Sequence, residues 1–207
     1  MTVKGPAHAA GVIGAAVVGA MVVGLAIPPA ERFPDSLLLA FHTFFVGALV
    51  DQEDVDLPDE HDPDWLTKAE PGDVIFVSRG HVTWGQWSHV AVVVRAPDDA
   101  IWVEPGTLAV LDASIHDGMY LSPLETYAEW PRVVIRRASD DPEVRWRIAE
   151  AALTHRDRMF TGVARNGAPY TNCTTSAISA LESVGIRPEL TGWRTPDEFF
   201  RSRVWLE

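Results

Sequence analysis

A chain of 207 residues with a hydrophobic share of 47% has room for one domain of roughly 100 to 150 residues plus further segments, and not for two full catalytic domains. Its formal net charge of −12 repels phosphate backbones, and no basic stripe with interleaved aromatics runs through it, which argues against nucleic acid as a partner. A single cysteine, Cys173, rules out an intramolecular disulfide and a cysteine-built zinc site, and the expectation is no metal and no cofactor.

Residues 9–28 read AAGVIGAAVVGAMVVGLAIP, an uncharged run of the ~20 residues a helix needs to cross a bilayer. A transmembrane anchor is predicted here rather than a cleaved signal peptide, because the run is long and no A-x-A site precedes Pro28 and Pro29. Ala15, Ala16, Gly19 and Ala20 recur at four-residue spacing, a pattern that supports helix pairing and hence an oligomer through the N-terminal segments. After the breaker-rich PPAERFPD comes a second apolar stretch, residues 36–50. It is short for a span, which leaves three readings: a tilted second span, an interfacial helix or a buried core helix. Lys4 ahead of the first run and acidity after the second favour a single-pass membrane protein whose remainder faces away from the cytoplasm.

Residues 51–64, DQEDVDLPDEHDPD, read as an acidic, solvated linker. They do not form an EF-hand: counted from Asp51 or Asp54, the sixth residue is not glycine and the twelfth is not glutamate. The folded domain is expected over 65–207. Strands are predicted at 73–78, 88–95, 100–104, 108–113 and 132–137, each rich in Val and Ile and bounded by Pro, Gly or Asp. Five strands in so short a stretch call for an antiparallel or strongly bent sheet. Helical periodicity follows over 142–156. A second helix is predicted from about Thr174 to Val184, ended by Gly185, and a third is capped by Thr195 with Pro196 at its first position. The fold class is therefore α+β.

Cys173 falls at the start of the second helix, beside Asn172, Thr174 and Thr175. A sulfur there faces unpaired backbone N–H groups and the positive end of the helix dipole, which favour thiolate. The same N–H groups suit an oxyanion. Such a nucleophile needs a base. Of seven histidines, His8 and His42 fall in the apolar N-terminal region, His61 in the acidic stretch, His81 and His116 in loops, and His155 on a helix face. His89 opens a strand with apolar neighbours on both faces; a satisfied core histidine and a catalytic base both fit that place. An acceptor to orient its ring belongs on a neighbouring strand: Glu104, at the end of AIWVE, is the first candidate and Asp112 the weaker one.

PGDVIF, WSHVAVVV, IWVEPG, the cysteine at a helix start, SVGI and TPDEFF, in this order, resemble the circularly permuted branch of the NlpC-type, papain-like cysteine peptidases. That branch includes the YiiX/YaeF-like hydrolases and is similar to the lecithin:retinol acyltransferases. The resemblance covers residues 70–202 and implies Cys173 as nucleophile, His89 as base and Glu104 as the residue that orients the imidazole. It also matches Tyr170 to an aromatic ahead of the cysteine, beside a substrate-binding and oxyanion region at Asn172 and Thr174. The chain departs from the family where it reads Cys173-Thr174-Thr175-Ser176 instead of C-S-E-L. The implied activity is a membrane-anchored cysteine hydrolase that cleaves an amide or ester through a thioester acyl-enzyme, on cell-wall peptide or lipid acyl substrates. The alternatives are a thiol acyltransferase and a non-catalytic tethered module of a larger assembly or phage particle.

Overall fold

The computed structural model describes residues 60–78, 86–114, 117–160, 170–190 and 195–206. The chain divides into two units, Met1–Leu49 and Val50–Glu207, and all described residues belong to the second. The run at 9–28, the segment 36–50, most of the acidic stretch and His8, His42, His81 and His116 lie outside the described residues. Among the described residues no helix is long and apolar enough to cross a membrane.

The domain is α+β. Five antiparallel strands, β1 (Val74–Ser78), β2 (His89–Arg95), β3 (Leu108–Ser114), β4 (Gly118–Pro123) and β5 (Arg132–Arg136), form one sheet in the order β4-β3-β2-β1-β5. The helices are α1 (Trp65–Lys68), α2 (Pro142–Leu153), α3 (Cys173–Ser183) and α4 (Pro196–Phe200), with a 3-10 turn at Leu124–Tyr127. Two-residue strands β6 (Met159–Phe160) and β7 (Tyr170–Thr171) pair in parallel ahead of α3.

The central strands read as unbroken apolar runs because both faces of the sheet are covered. Side chains alternate between the faces. Phe76, Val90, Val92 and Leu111 pack with Ile148, Ile178 and Leu181 of α2 and α3. Ile75, Val77, Ala91, Val93 and Val110 pack on the other side with Trp65, Leu124 and Tyr127.

The predicted strand at 100–104 does not form, and β4, absent from the expected set, completes the sheet instead. The reason is the ladder. β3 takes one edge of β2 over Val92–Arg95 (Val92 opposite Leu111, Arg95 opposite Leu108) and β1 takes the other over His89–Val92, so the hairpin edge that AIWVE would need is occupied by β3. It becomes part of the irregular connection from β2 to β3, in which Ile101 and Trp102 are 83% and 80% exposed.

The end of the acidic tract is folded, which corrects the boundary at 65. Asp62 N–H donates to Val133 O at 3.0 Å, His61 Nδ1 accepts from Val133 N–H at 3.2 Å, and Glu60 meets Arg136 at 2.6 Å. β5 is an edge strand, and its outer backbone groups recruit these residues.

Helix starts follow local chemistry. Asp141 accepts from Glu143 N–H at 2.9 Å with Pro142 opening α2, and Thr195 Oγ1 accepts from Glu198 N–H at 3.2 Å with Pro196 opening α4. Asp141→Ala is expected to lower stability by about 1 kcal/mol, read as a lower urea midpoint at unchanged slope. An unchanged midpoint would show that the cap contributes nothing.

Gly72 has φ +88, and a Cβ there would lie 2.2 Å from the Arg145 carbonyl oxygen, so only glycine lets α2 rest directly on the turn into β1. Beside it the buried Asp73 receives both arms of Arg137 at 2.8 Å. The C-terminal residues close one face of the sheet: Phe76 meets Trp87, Phe199, Phe200 and Trp205 at ring-centroid distances of 5.1–6.2 Å. Asp197 Oδ2, from α4, accepts from Trp87 N–H at 3.1 Å. His155, just past α2, is buried rather than on an outer face, and its Nδ1 makes no hydrogen bond. Burial, aided by the charge of Arg158, pushes its pKa down to about 4.

Candidate active site

Asn172 is extended, and its Oδ1 accepts from Thr175 N–H at 2.8 Å, so α3 begins at Cys173. Asn172 thus serves as the helix cap through its oxygen. The parallel pairing of Tyr170 with Met159 and Thr171 with Phe160 holds the chain that enters the helix; the Tyr170 side chain lies outside the described residues. Thr174, Thr175 and Ser176 are buried, so the turn behind the cysteine faces the interior rather than an open cleft. Thr174 Oγ1 lies 3.8 Å from the half-buried Cys173 sulfur. The N–H groups of the first turn emerge from the same helix end, as helix geometry requires.

His89 is the first residue of β2. The pairing of β2 with β3 ends at Val92 opposite Leu111, whereas β3 stays paired with β4 as far as Ser114 opposite Gly118. β2 and β3 therefore part company just where His89 and Asp112 stand. Their side chains bridge the gap: His89 Nε2 and Asp112 Oδ1 are 2.6 Å apart, with side chains 16% and 7% exposed. Asp112 Oδ1 also accepts from its neighbour Ala113 N–H at 2.6 Å, and Tyr120 Oη donates to Oδ2 at 3.3 Å. Tyr127 and Trp130 flank the imidazole with ring centroids 6.1 and 6.4 Å away. The buried Tyr127 hydroxyl is near Asp112 without a well-directed hydrogen bond; burial and that carboxylate hold its pKa well above the ordinary value.

With Nε2 committed to Asp112, Nδ1 is the ring nitrogen left for Cys173. Burial alone would make charging both groups costly, but each stabilises the other's charge. Burial raises the Cys173 pKa; the His89 charge and hydrogen bonding, followed by Thr174 and the Val90 N–H, outweigh it, and the thiol ends below its usual value. For His89, burial is likewise outweighed by the Cys173 charge and the bond to Asp112, and the imidazole is pushed up to about 10. Asp112, despite burial, is held below the usual carboxylate range by His89. Thr174 Oγ1 is a further polar neighbour of the sulfur. Each group thus favours the charged form of the other.

Glu104 does not take part in this cluster. It is exposed, at the Arg95–Leu108 end of the ladder. His89 lies six residues away along β2 from Arg95, about 20 Å at the rise of a strand. The acceptor on His89 is Asp112, from the strand next to it in the sheet. Its sequence signal is a lone carboxylate inside the apolar LAVLDA, on the face that Val110 shares; a charge so placed needs a partner. Tyr120, Tyr127 and Trp130 carry no comparable signal. Among the described residues no group of His, Cys, Asp and Glu side chains could hold a metal ion.

No protein-family model matches the chain, and a search of curated proteins finds no relative.

Proposed function

We propose that this domain is a thiol hydrolase of the permuted NlpC-type kind, tethered to a membrane by its N-terminal apolar run, and that it cleaves an amide or ester bond. The observation that carries the reading is one imidazole shared between a buried carboxylate at 2.6 Å and a sulfur at the head of a helix. Asp112 takes the orienting role that the resemblance gives to Glu104.

The chemistry follows from the placement. The Cys173 thiolate attacks the carbonyl carbon, a C–S bond forms, and the displaced π pair resides on oxygen, where the N–H groups of Cys173 and Thr174 can stabilise it. His89 passes its Nδ1 proton to the leaving nitrogen or oxygen as that bond breaks, which leaves a thioester. Nδ1 then takes a proton from water as the water attacks the thioester carbonyl; the C–S bond breaks with its electron pair on sulfur, the acid product leaves, and the thiolate again faces a protonated imidazole. Asp112 keeps Nε2 protonated and the ring aimed. The resemblance points to cell-wall peptide or lipid acyl groups as substrates.

The test is labelling of the full chain by a peptidyl acyloxymethyl ketone. Labelling is expected to stop in Cys173→Ala, and its rate to follow a bell in pH. On the acid side the rate falls as the thiolate is protonated, below the free-thiol value of 9.0; on the alkaline side it falls as His89 loses its proton near 10. A Cys173 that reacts no faster than free cysteine at neutral pH would leave the non-catalytic tethered module as the better reading.

A further inference from the structure

Glu104, displaced from the catalytic cluster, lines a different feature. A groove of about 520 Å³ is bounded by Leu66, Trp102, Leu108 and Leu124, with the carboxylates of Glu104 and Glu125 on its rim. Among the described residues neither carboxylate is paired with a cation, and none of the residues that line the groove is basic. The cations nearby in the fold are engaged elsewhere: Arg95 donates to Gly106 O, and Lys68 is held by Asp62 at 2.9 Å. Trp102, which lines the groove, and its chain neighbour Ile101 stand 80% and 83% exposed, an unusual state for two consecutive large apolar residues.

We propose that this groove is a docking site for a basic, apolar peptide segment of a partner protein: an aliphatic side chain in the groove and a Lys or Arg between Trp102 and the two carboxylates. The charge complementarity selects this occupant. Each of the three groups favours a cation, two by charge and the indole by its π face. An anionic lipid surface would meet Glu104 and Glu125 with repulsion.

The test measures binding of a fluorescein-labelled peptide of leucines flanked by lysines to the full chain by fluorescence anisotropy. Affinity is expected to fall about thirtyfold in Trp102→Ala, as for an aromatic anchor that the bound peptide covers. It should fall about twofold to fivefold in each of Glu104→Gln and Glu125→Gln. The remote Glu150→Gln and a peptide with glutamates for lysines serve as controls: the first should bind as the parent does, and the second peptide should not bind. Unchanged Cys173 labelling in Trp102→Ala would show that the fold is intact. No binding, or equal loss in Glu150→Gln, overturns the proposal. So does Trp102-dependent adsorption to phosphatidylcholine vesicles without peptide binding, which would make the patch a bilayer contact.

Discussion

Asp112→Ala is expected to slow labelling of Cys173 by about 10²- to 10⁴-fold, His89→Ala by a similar factor, and Glu104→Ala not at all. The contrast rests on geometry: Asp112 Oδ1 is 2.6 Å from His89 Nε2, whereas Glu104 is exposed near the far end of β2. Removing Asp112 deprives the imidazolium of a hydrogen bond and a neighbouring negative charge, both of which raise its pKa. The alkaline limb of the pH–rate profile should therefore move down from about 10 as the rate falls. A variant that merely loosened the fold would lose rate without moving that limb. Equal slowing in Glu104→Ala, or an Asp112→Ala protein with an unshifted profile, would sink the assignment of Asp112.

Phe76→Ala is expected to cost about 3–5 kcal/mol. Phe76 is fully buried in β1, and its ring is the meeting point of Trp87 ahead of β2, Phe199 and Phe200 of α4, and Trp205 near the C-terminus. Deleting it opens a cavity whose walls come from three separate parts of the chain, so collapse around the void is hindered. Against a typical total of about 5–15 kcal/mol, the loss should be visible as a large drop in urea midpoint. Leu206→Ala is a useful control, because Leu206 is 40% exposed and should matter little. A Phe76→Ala midpoint close to that of the parent would show that the aromatic cluster does not bind the C-terminal residues to the sheet.

What was legible in the sequence had causes that act over a few residues. The Val- and Ile-rich runs at 74–78, 89–95, 108–114 and 132–136 became strands because their neighbours in sequence are apolar and their ends are marked by turn residues. Asp141, Asn172 and Thr195 marked helix starts because a cap bonds within its own first turn. For the same reason the place of Cys173 at the head of α3 could be read directly.

Other features depended on which segments become neighbours. AIWVE has the composition of a strand, but β1 and β3 already flank β2, so it lies in the connection and takes Glu104 away from His89. Asp112 meets His89 because the β2–β3 ladder stops at Val92 and Leu111, a matter of register between strands that no local pattern specifies. The acidic residues at 60–62 were joined to the domain by an edge of β5 some seventy residues later in the chain, as the bond from Val133 N–H to His61 shows. Chemistry carried by single residues and turns was written in the order of the amino acids; the choice of partner was left to long-range packing, because contact energies between distant segments exist only once the chain has closed on itself.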